Sequence, residues 1–202
     1  MDTKFFVISL HRTGTRSIDQ FLNQLGIRSV HWPNDFLGID FQEKVRGHER
    51  DLDFIVDVLL PILNHYQAVS DVPIPALYDR LAIKFPQAKF LFLYRNPFDW
   101  VPSVRWNQRN NREFRPYVRA VYWKYFEWCP PAIADLSDVQ LLWMYSRHMS
   151  DVIAYFQETG PDRLGIFDLD APDNTEKISS FVGMEPRVQF PHVGQRPRDD
   201  HL

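Results

Sequence analysis

Apolar residues occur along this chain in two rhythms: short unbroken runs, and longer stretches in which they return every three or four positions. Lys4 to Leu10 is a run of the first kind, long enough for a buried strand and too short for a helix. A polar, glycine-containing loop follows. From Ser17 onward, Ile18, Phe21, Leu22 and Leu25 return at helical spacing, and Gly26 stands where a helix would stop. Ile27 to His31 suggests a second short strand, and Leu52, Ile55, Val56, Leu59, Leu60 and Leu63 mark an amphipathic helix after Asp51. Gln67 to Ser70 predicts another strand, ending at Asp71. Pro73 and Pro75 punctuate a turn into a helix through Leu77, Leu81 and Phe85. Lys89 to Tyr94 is the clearest buried strand, with Arg95 at its carboxyl end.

Beyond it, the stretch from Trp100 to Trp128 is rich in arginine and aromatic residues, and Pro116 interrupts any long helix there. Ser137 to Thr159 predicts a helix stopped by Gly160-Pro161, Arg163 to Leu169 a last strand and Glu176 to Val182 a last helix. The tail, 187–202, reads as irregular. Strands alternating with helices imply parallel pairing, so the expected fold is α/β, a three-layer arrangement with helices on both faces of a parallel sheet. The 202 residues fit one domain spanning 1–202, with 100–128 as a helical segment set apart by composition.

Composition narrows the partners. A net charge of −3 gives no reason to expect nucleic acid, so recognition of a charged ligand has to be local. The lone Cys129 can form neither an internal disulfide nor a thiolate metal cluster, which fits a reducing compartment. The apolar stretch Phe5 to Leu10 is far too short for a membrane span and runs straight into His11-Arg12. A soluble, cytoplasmic protein without a membrane span is expected.

The candidate chemistry begins in the loop after the first strand, Arg12-Thr13-Gly14-Thr15-Arg16-Ser17. Ligands of open parallel sheets gather at carboxyl strand ends, where helix N-termini present N–H groups and a positive dipole end. Gly14 lets the backbone approach a phosphate, Thr13, Thr15 and Ser17 offer hydroxyls, and Arg12 and Arg16 supply charge. The competing reading is that Thr15 or Ser17 caps the helix and the arginines are solvated. A kinase loop would require G-x-x-x-x-G-K-[ST], but the first Gly is missing and Arg16 stands in place of the lysine. Nor does an acidic residue end the best buried strand, where magnesium would often be held. A second feature is Arg95-Asn96-Pro97-Phe98-Asp99, followed by Ser103 eight residues after Arg95. An Arg at a strand end and a Ser two helical turns on can meet at one phosphate if the connecting turn is tight, and Asn96-Pro97 supplies such a turn.

Together these two motifs resemble the sulfotransferases that use 3′-phosphoadenosine 5′-phosphosulfate (PAPS), including short forms whose first loop reads Pro-Arg-Thr-Gly-Thr-Thr-Ser. The resemblance covers most of the chain, since the helix bearing Trp143, Tyr145, His148 and Tyr155-Phe156 is similar to a late core segment of that family. It implies a P-loop, nucleoside-kinase-like domain, PAPS as sulfuryl donor and no metal. It also implies that Arg12 through Ser17, Arg95 and Ser103 bind the nucleotide, and that Gly194 and Arg196, near Gln195, belong to a last loop closing over it. Where many members have a lysine, this chain has Arg12, which can neutralise a leaving phosphate without giving up a proton. The resemblance also places a base near the end of a neighbouring strand. Asp71 fits that place best, as against a turn aspartate held by the Pro73 segment, with His31 and His11 as less well placed alternatives.

The expected acceptor is a small molecule or saccharide carrying a hydroxyl or amine, received under 100–128. There Arg105, Arg109 and Arg112 share a helical face that is either an anion site or a solvated surface. Two other functions stay open from sequence: a small-molecule P-loop kinase, and a noncatalytic nucleotide-binding protein. Oligomeric state is not written in one chain.

Overall fold

The computed structural model describes residues 3–110, 115–126, 128, 130 and 132–193. Its centre is strand β1 (Phe5–Val7), in which all three side chains are buried, as the unbroken apolar run requires. Helix α1 (Thr15–Gln24) follows and buries Ile18, Phe21 and Leu22, the residues at helical spacing. Gly26 takes φ +87° just beyond it, a left-handed conformation in which a side chain would be strained. Strand β2 (Ser29–His31) then runs parallel to the sheet.

The next segment has no counterpart in the sequence reading. Strands β3 (Asp35–Phe36) and β4 (Ile39–Asp40) form a small antiparallel hairpin, and helix α2 (Phe41–Val45) follows it. Helix α3 (Leu52–His65) starts where Asp51 suggests, because the Asp51 carboxylate accepts the Phe54 N–H at 2.9 Å. Strand β5 (Ala68–Ser70), a short 3₁₀ turn (Ile74–Leu77) and helix α4 (Tyr78–Lys84) lead to β6 (Lys89–Tyr94), whose bounds coincide with the apolar run.

Two helices occupy the arginine-rich stretch. These are α5 (Pro97–Asn110) and α6 (Pro116–Tyr125), and Pro116 opens the second, where its missing N–H would have had no intrahelical partner. Helix α7 (Asp138–Thr159) is fixed by a reciprocal cap. The Gln140 N–H donates to Ser137 Oγ at 3.2 Å, and the Ser137 N–H to Gln140 Oε1 at 2.8 Å. Strand β7 (Leu164–Asp168) and helix α8 (Asn174–Val182) complete the elements, and 183–193 contains no helix or strand.

The main sheet is parallel throughout, in the order β2-β5-β1-β6-β7. Its two faces are covered separately. Phe6, Ile8, Phe90 and Phe92 point into one core with residues of α3 to α7, while Phe5, Val7, Leu91 and Leu93 point into a second with α1 and α8. The strand period of two thus assigns alternate residues to opposite layers, giving the expected three-layer α/β fold. One topological consequence positions the site. The chain leaves β1 into α1 on one face and leaves β6 into α5 on the other, so a crevice opens at the carboxyl ends of these adjacent strands.

Candidate functional site

The loop between β1 and α1 turns through two left-handed residues, Arg12 at φ 65° and Gly14 at φ 92°. Gly14 is required twice over. Its φ disfavours a side chain, and a Cβ placed there would lie 2.5 Å from Leu169 Cδ1. Gly14 is also the N-cap of α1 and no side chain caps the helix, so neither Thr15 nor Ser17 has the capping role that the competing reading gave them. Thr13 departs from expectation. It is fully buried, and its hydroxyl donates back to the Leu10 carbonyl at 2.5 Å, bracing the turn rather than facing a ligand. The Ser17 hydroxyl accepts the Val193 N–H at 3.0 Å and keeps its own proton to donate.

The two motifs meet in space. Arg95, just past β6, donates from Nη1 to the Arg12 carbonyl at 2.8 Å, and Arg12 Nε donates to Ser103 Oγ at 3.1 Å across from α5. The Tyr145 hydroxyl grips Arg95, accepting its N–H at 2.9 Å and donating to its carbonyl at 2.8 Å. Trp100 Nε1 donates to the His11 carbonyl at 2.7 Å, and the Arg12 guanidinium lies 5.4 Å from the centroid of the Trp106 ring. Burial, then the charges of Arg95 and Arg16, lower the Arg12 pKa from its ordinary value, and Asp71 partly offsets them. Two further guanidiniums and one carboxylate thus act on Arg12.

That carboxylate belongs to Asp71, at φ 73° immediately after β5. The β2–β5 register pairs His31 with Ser70 and so brings the imidazole beside it, with His31 Nε2 3.1 Å from Asp71 Oδ2. The same nitrogen is 3.1 Å from Thr15 Oγ1. Asp71 Oδ1 is buried with no hydrogen-bond partner among the described residues. Burial raises the Asp71 pKa, while His31, the Val72 N–H, Arg16 and Arg12 act in the opposite direction. A buried carboxylate with one oxygen held and one unengaged can accept a proton from a neighbouring hydroxyl.

His11 is differently placed. Both its ring nitrogens are buried without partners among the described residues, the ring packs near Trp100 and Tyr122, and burial followed by Arg12 lowers its pKa to about 4. Arg105 is neither an anion receptor nor a solvated side chain. Its guanidinium donates to Asp138, at 3.0 and 2.8 Å, and to the carbonyls of Ile133 and Leu136, tying α5 to the start of α7. Arg112, Gly194 and Arg196 lie outside the described residues. Among the described residues, no group of three or more His, Cys, Asp or Glu could hold a metal ion, and no helix is long and apolar enough to cross a membrane.

Comparison with known proteins settles the family, for the sulfotransferase domain family matches residues 4–198. The chain belongs to the sulfotransferase domain family. The solved structures similar to this sulfotransferase-family chain agree on the fold. A sulfotransferase from Alicyclobacillus acidocaldarius superposes with a TM-score of 0.59 at 15% identity, covering 98% of this chain and 88% of that one. A shikimate kinase from Bacteroides thetaiotaomicron gives 0.51 at 13% identity, over 90% and 94% of the two chains. The sulfotransferase domain from the curacin biosynthetic pathway gives 0.50 at 13%, over 92% and 75%. No curated protein matches the sequence significantly. A parallel sheet shared with both sulfotransferases and a kinase is the nucleoside-kinase-like fold that the family resemblance implied.

Sequence reasoning missed the close support of this family member's loops. No role in supporting this loop is read from the sequence for Trp100, Trp106 or Tyr145, and the pairing of His31 with Asp71 depends on strand order. One signal was available, since both residues end short strands.

Proposed function

We propose that this chain transfers the sulfuryl group of PAPS to a hydroxyl, or an amine, of a small-molecule or saccharide acceptor. Membership of the family supports group transfer as the class of chemistry. The observation that carries the finer reading is the convergence of Arg12, Arg16 and Arg95 on one strand-loop-helix turn beside a buried carboxylate with an unengaged oxygen. The residues fit an anionic nucleotide, because guanidiniums cluster at the turn and Arg12 uses only Nε among its described hydrogen bonds.

In the proposed reaction Asp71 Oδ1 accepts the acceptor's hydroxyl proton while that oxygen bonds to sulfur. The bond between sulfur and the 5′-phosphate oxygen breaks, and the oxygen departs with the electron pair. Arg12 donates to it from its terminal nitrogens, stabilising the charge without losing a proton. Arg95 and Ser103 hold the 3′-phosphate, with Thr15, Arg16 and Ser17 on the other phosphate. The products are the sulfated acceptor and 3′,5′-adenosine bisphosphate, and the proton on Asp71 passes to solvent. Alignment and charge neutralisation supply the rate, as in phosphoryl transfer.

The test is calorimetric titration of the chain with 3′,5′-adenosine bisphosphate, with ATP-magnesium for comparison, on wild type and Arg95→Ala. Binding of the bisphosphate weakened about 10- to 100-fold by Arg95→Ala is expected, the size of a lost charge-assisted hydrogen bond. Preference for ATP-magnesium would move the protein to kinase chemistry. Bisphosphate binding without transfer to any acceptor in a broad screen would leave a noncatalytic binding protein.

A further inference from the structure

We propose that His31 is a positioning residue of this site, a single Nε2–H shared between Asp71 and Thr15 that aims both the base and a loop hydroxyl. The inference rests on the reading of Asp71 as the base. Its geometric ground is that one nitrogen lies 3.1 Å from Asp71 Oδ2 and 3.1 Å from Thr15 Oγ1. An ionised carboxylate only accepts hydrogen bonds, so Nε2 must carry the proton. With that proton shared, Thr15 Oγ1 serves as acceptor toward His31, and its own O–H is released to donate elsewhere. Thr15 opens α1 directly after Gly14, in the turn that faces the proposed donor phosphates.

The same contact sorts the two oxygens of Asp71. Oδ2 is tied to His31, while Oδ1 is buried and without a partner among the described residues, which is the state a base needs before an acceptor arrives. His31 thereby bridges three pieces of the site that are distant in sequence: the end of β2, the end of β5 and the first turn of α1. The charged groups around this bridge are few. Arg16 and Arg12 act on Asp71 together with His31, and His31 in turn acts on Asp19, whose carboxylate accepts the Ser29 hydroxyl at 2.6 Å. His31 favours the ionised form of Asp71, against the burial that disfavours it.

The experiment compares wild type, His31→Gln and His31→Phe in the full chain. Two quantities are read: the Asp71 midpoint from the pH titration of its ¹³C carboxyl resonance in free protein, and the affinity for 3′,5′-adenosine bisphosphate by calorimetry. His31→Phe removes the donor and the electrostatic effect of His31 on Asp71, so the Asp71 midpoint should rise. Bisphosphate affinity should fall about 5- to 10-fold as the Thr15 hydroxyl loses its orientation. His31→Gln keeps a side-chain N–H and loses the electrostatic effect of the imidazole on Asp71, so the midpoint should still rise while affinity stays within about twofold of wild type.

An Asp71 midpoint that moves in neither variant would overturn the proposal, as would equal loss of affinity in both. Should His31→Phe not fold, the His31→Gln midpoint decides. Failure of wild type to bind the bisphosphate would sink the PAPS reading alone, because the Asp71 titration is made without nucleotide.

Discussion

The two ends of the parallel sheet engage their cationic side chains to different degrees. At the amino end, Lys4, before β1, donates to the carbonyls of Asn64 and Tyr66, and Lys89, opening β6, donates to that of Phe181. Arg163, before β7, donates to three carbonyls, those of Ala88, Ala82 and Phe85, at 3.0 to 3.1 Å. These cations satisfy chain ends that would otherwise leave carbonyls without donors. At the carboxyl end, Arg12 and Arg95 each make one side-chain hydrogen bond, and Arg16 makes none among the described residues. Guanidiniums with so few described acceptors are the ground for the proposed anion site. Backbone strain follows the same division. Among the described non-glycine residues with left-handed φ, Trp32 and Asp71 directly follow β2 and β5 and Arg12 lies in the loop after β1, while Leu37 lies in the β3–β4 turn. Such conformations disfavour non-glycine residues by roughly 1–3 kcal/mol each and gather where function holds them.

The comparison breaks most sharply at Arg12. Replacing it with Ala should lower sulfuryl transfer by at least about 10³-fold, near 4 kcal/mol of transition-state stabilisation, with little change in the unfolding midpoint. Turnover of PAPS and thermal melts on the same preparation check it. A large loss of stability with full turnover would make Arg12 a structural residue like those at the other end.

Asp71→Asn comes next. It keeps the shape and removes the base, so transfer should slow by about 10²-fold or more while bisphosphate affinity changes less than about threefold. Measuring kcat and nucleotide Kd together separates the two terms. Unchanged kcat would remove Asp71 from the chemistry and leave it a partner of His31 and the neighbouring arginines.

Arg163→Ala is the control from the opposite end. Losing a donor shared by three carbonyls should destabilise the fold by about 2 kcal/mol, seen as a lower urea midpoint, and leave bisphosphate affinity unchanged.

How far the sequence anticipated this division depends on the range of the interaction. Strand β6 is legible residue for residue, because a buried parallel strand has to be an unbroken apolar run. Helix α7 is legible for a similar local reason, its Ser137–Gln140 cap and Gly160 stop. The β3–β4 hairpin is not, since strands of two residues carry no period to detect. In the site, Arg12, Gly14, Arg95 and Ser103 follow from spacing within two motifs, whereas His31 beside Asp71 follows from strand order and register. Arg105 shows the same limit. Its helical spacing is visible, but the Ile133, Leu136 and Asp138 groups that occupy it are brought there by tertiary packing.

The smallest effect sharpens the comparison inside a single residue type. His11 and His148 both have pKa values lowered to about 4 chiefly by burial, but their surroundings differ. His148 is fully engaged in the core, with Nδ1 2.5 Å from the Tyr125 hydroxyl and Nε2 2.7 Å from the Ile8 carbonyl, whereas the nitrogens of His11 have no partner and its second perturbing cause is Arg12. In the unfolded chain each returns to 6.5, so as pH falls from 6.5 toward 4 the unfolded state takes up protons that the native state refuses, and stability is lost through that window. The loss at pH 6 should be about 1 kcal/mol for each histidine. An anion bound at Arg12 offsets the guanidinium charge that His11 feels. In ¹⁵N titrations, 3′,5′-adenosine bisphosphate should therefore raise the His11 midpoint by a few tenths of a pH unit and leave His148 where it is. Equal movement of both midpoints would mean that the nucleotide tightens the whole fold rather than filling the charge left open at the carboxyl end.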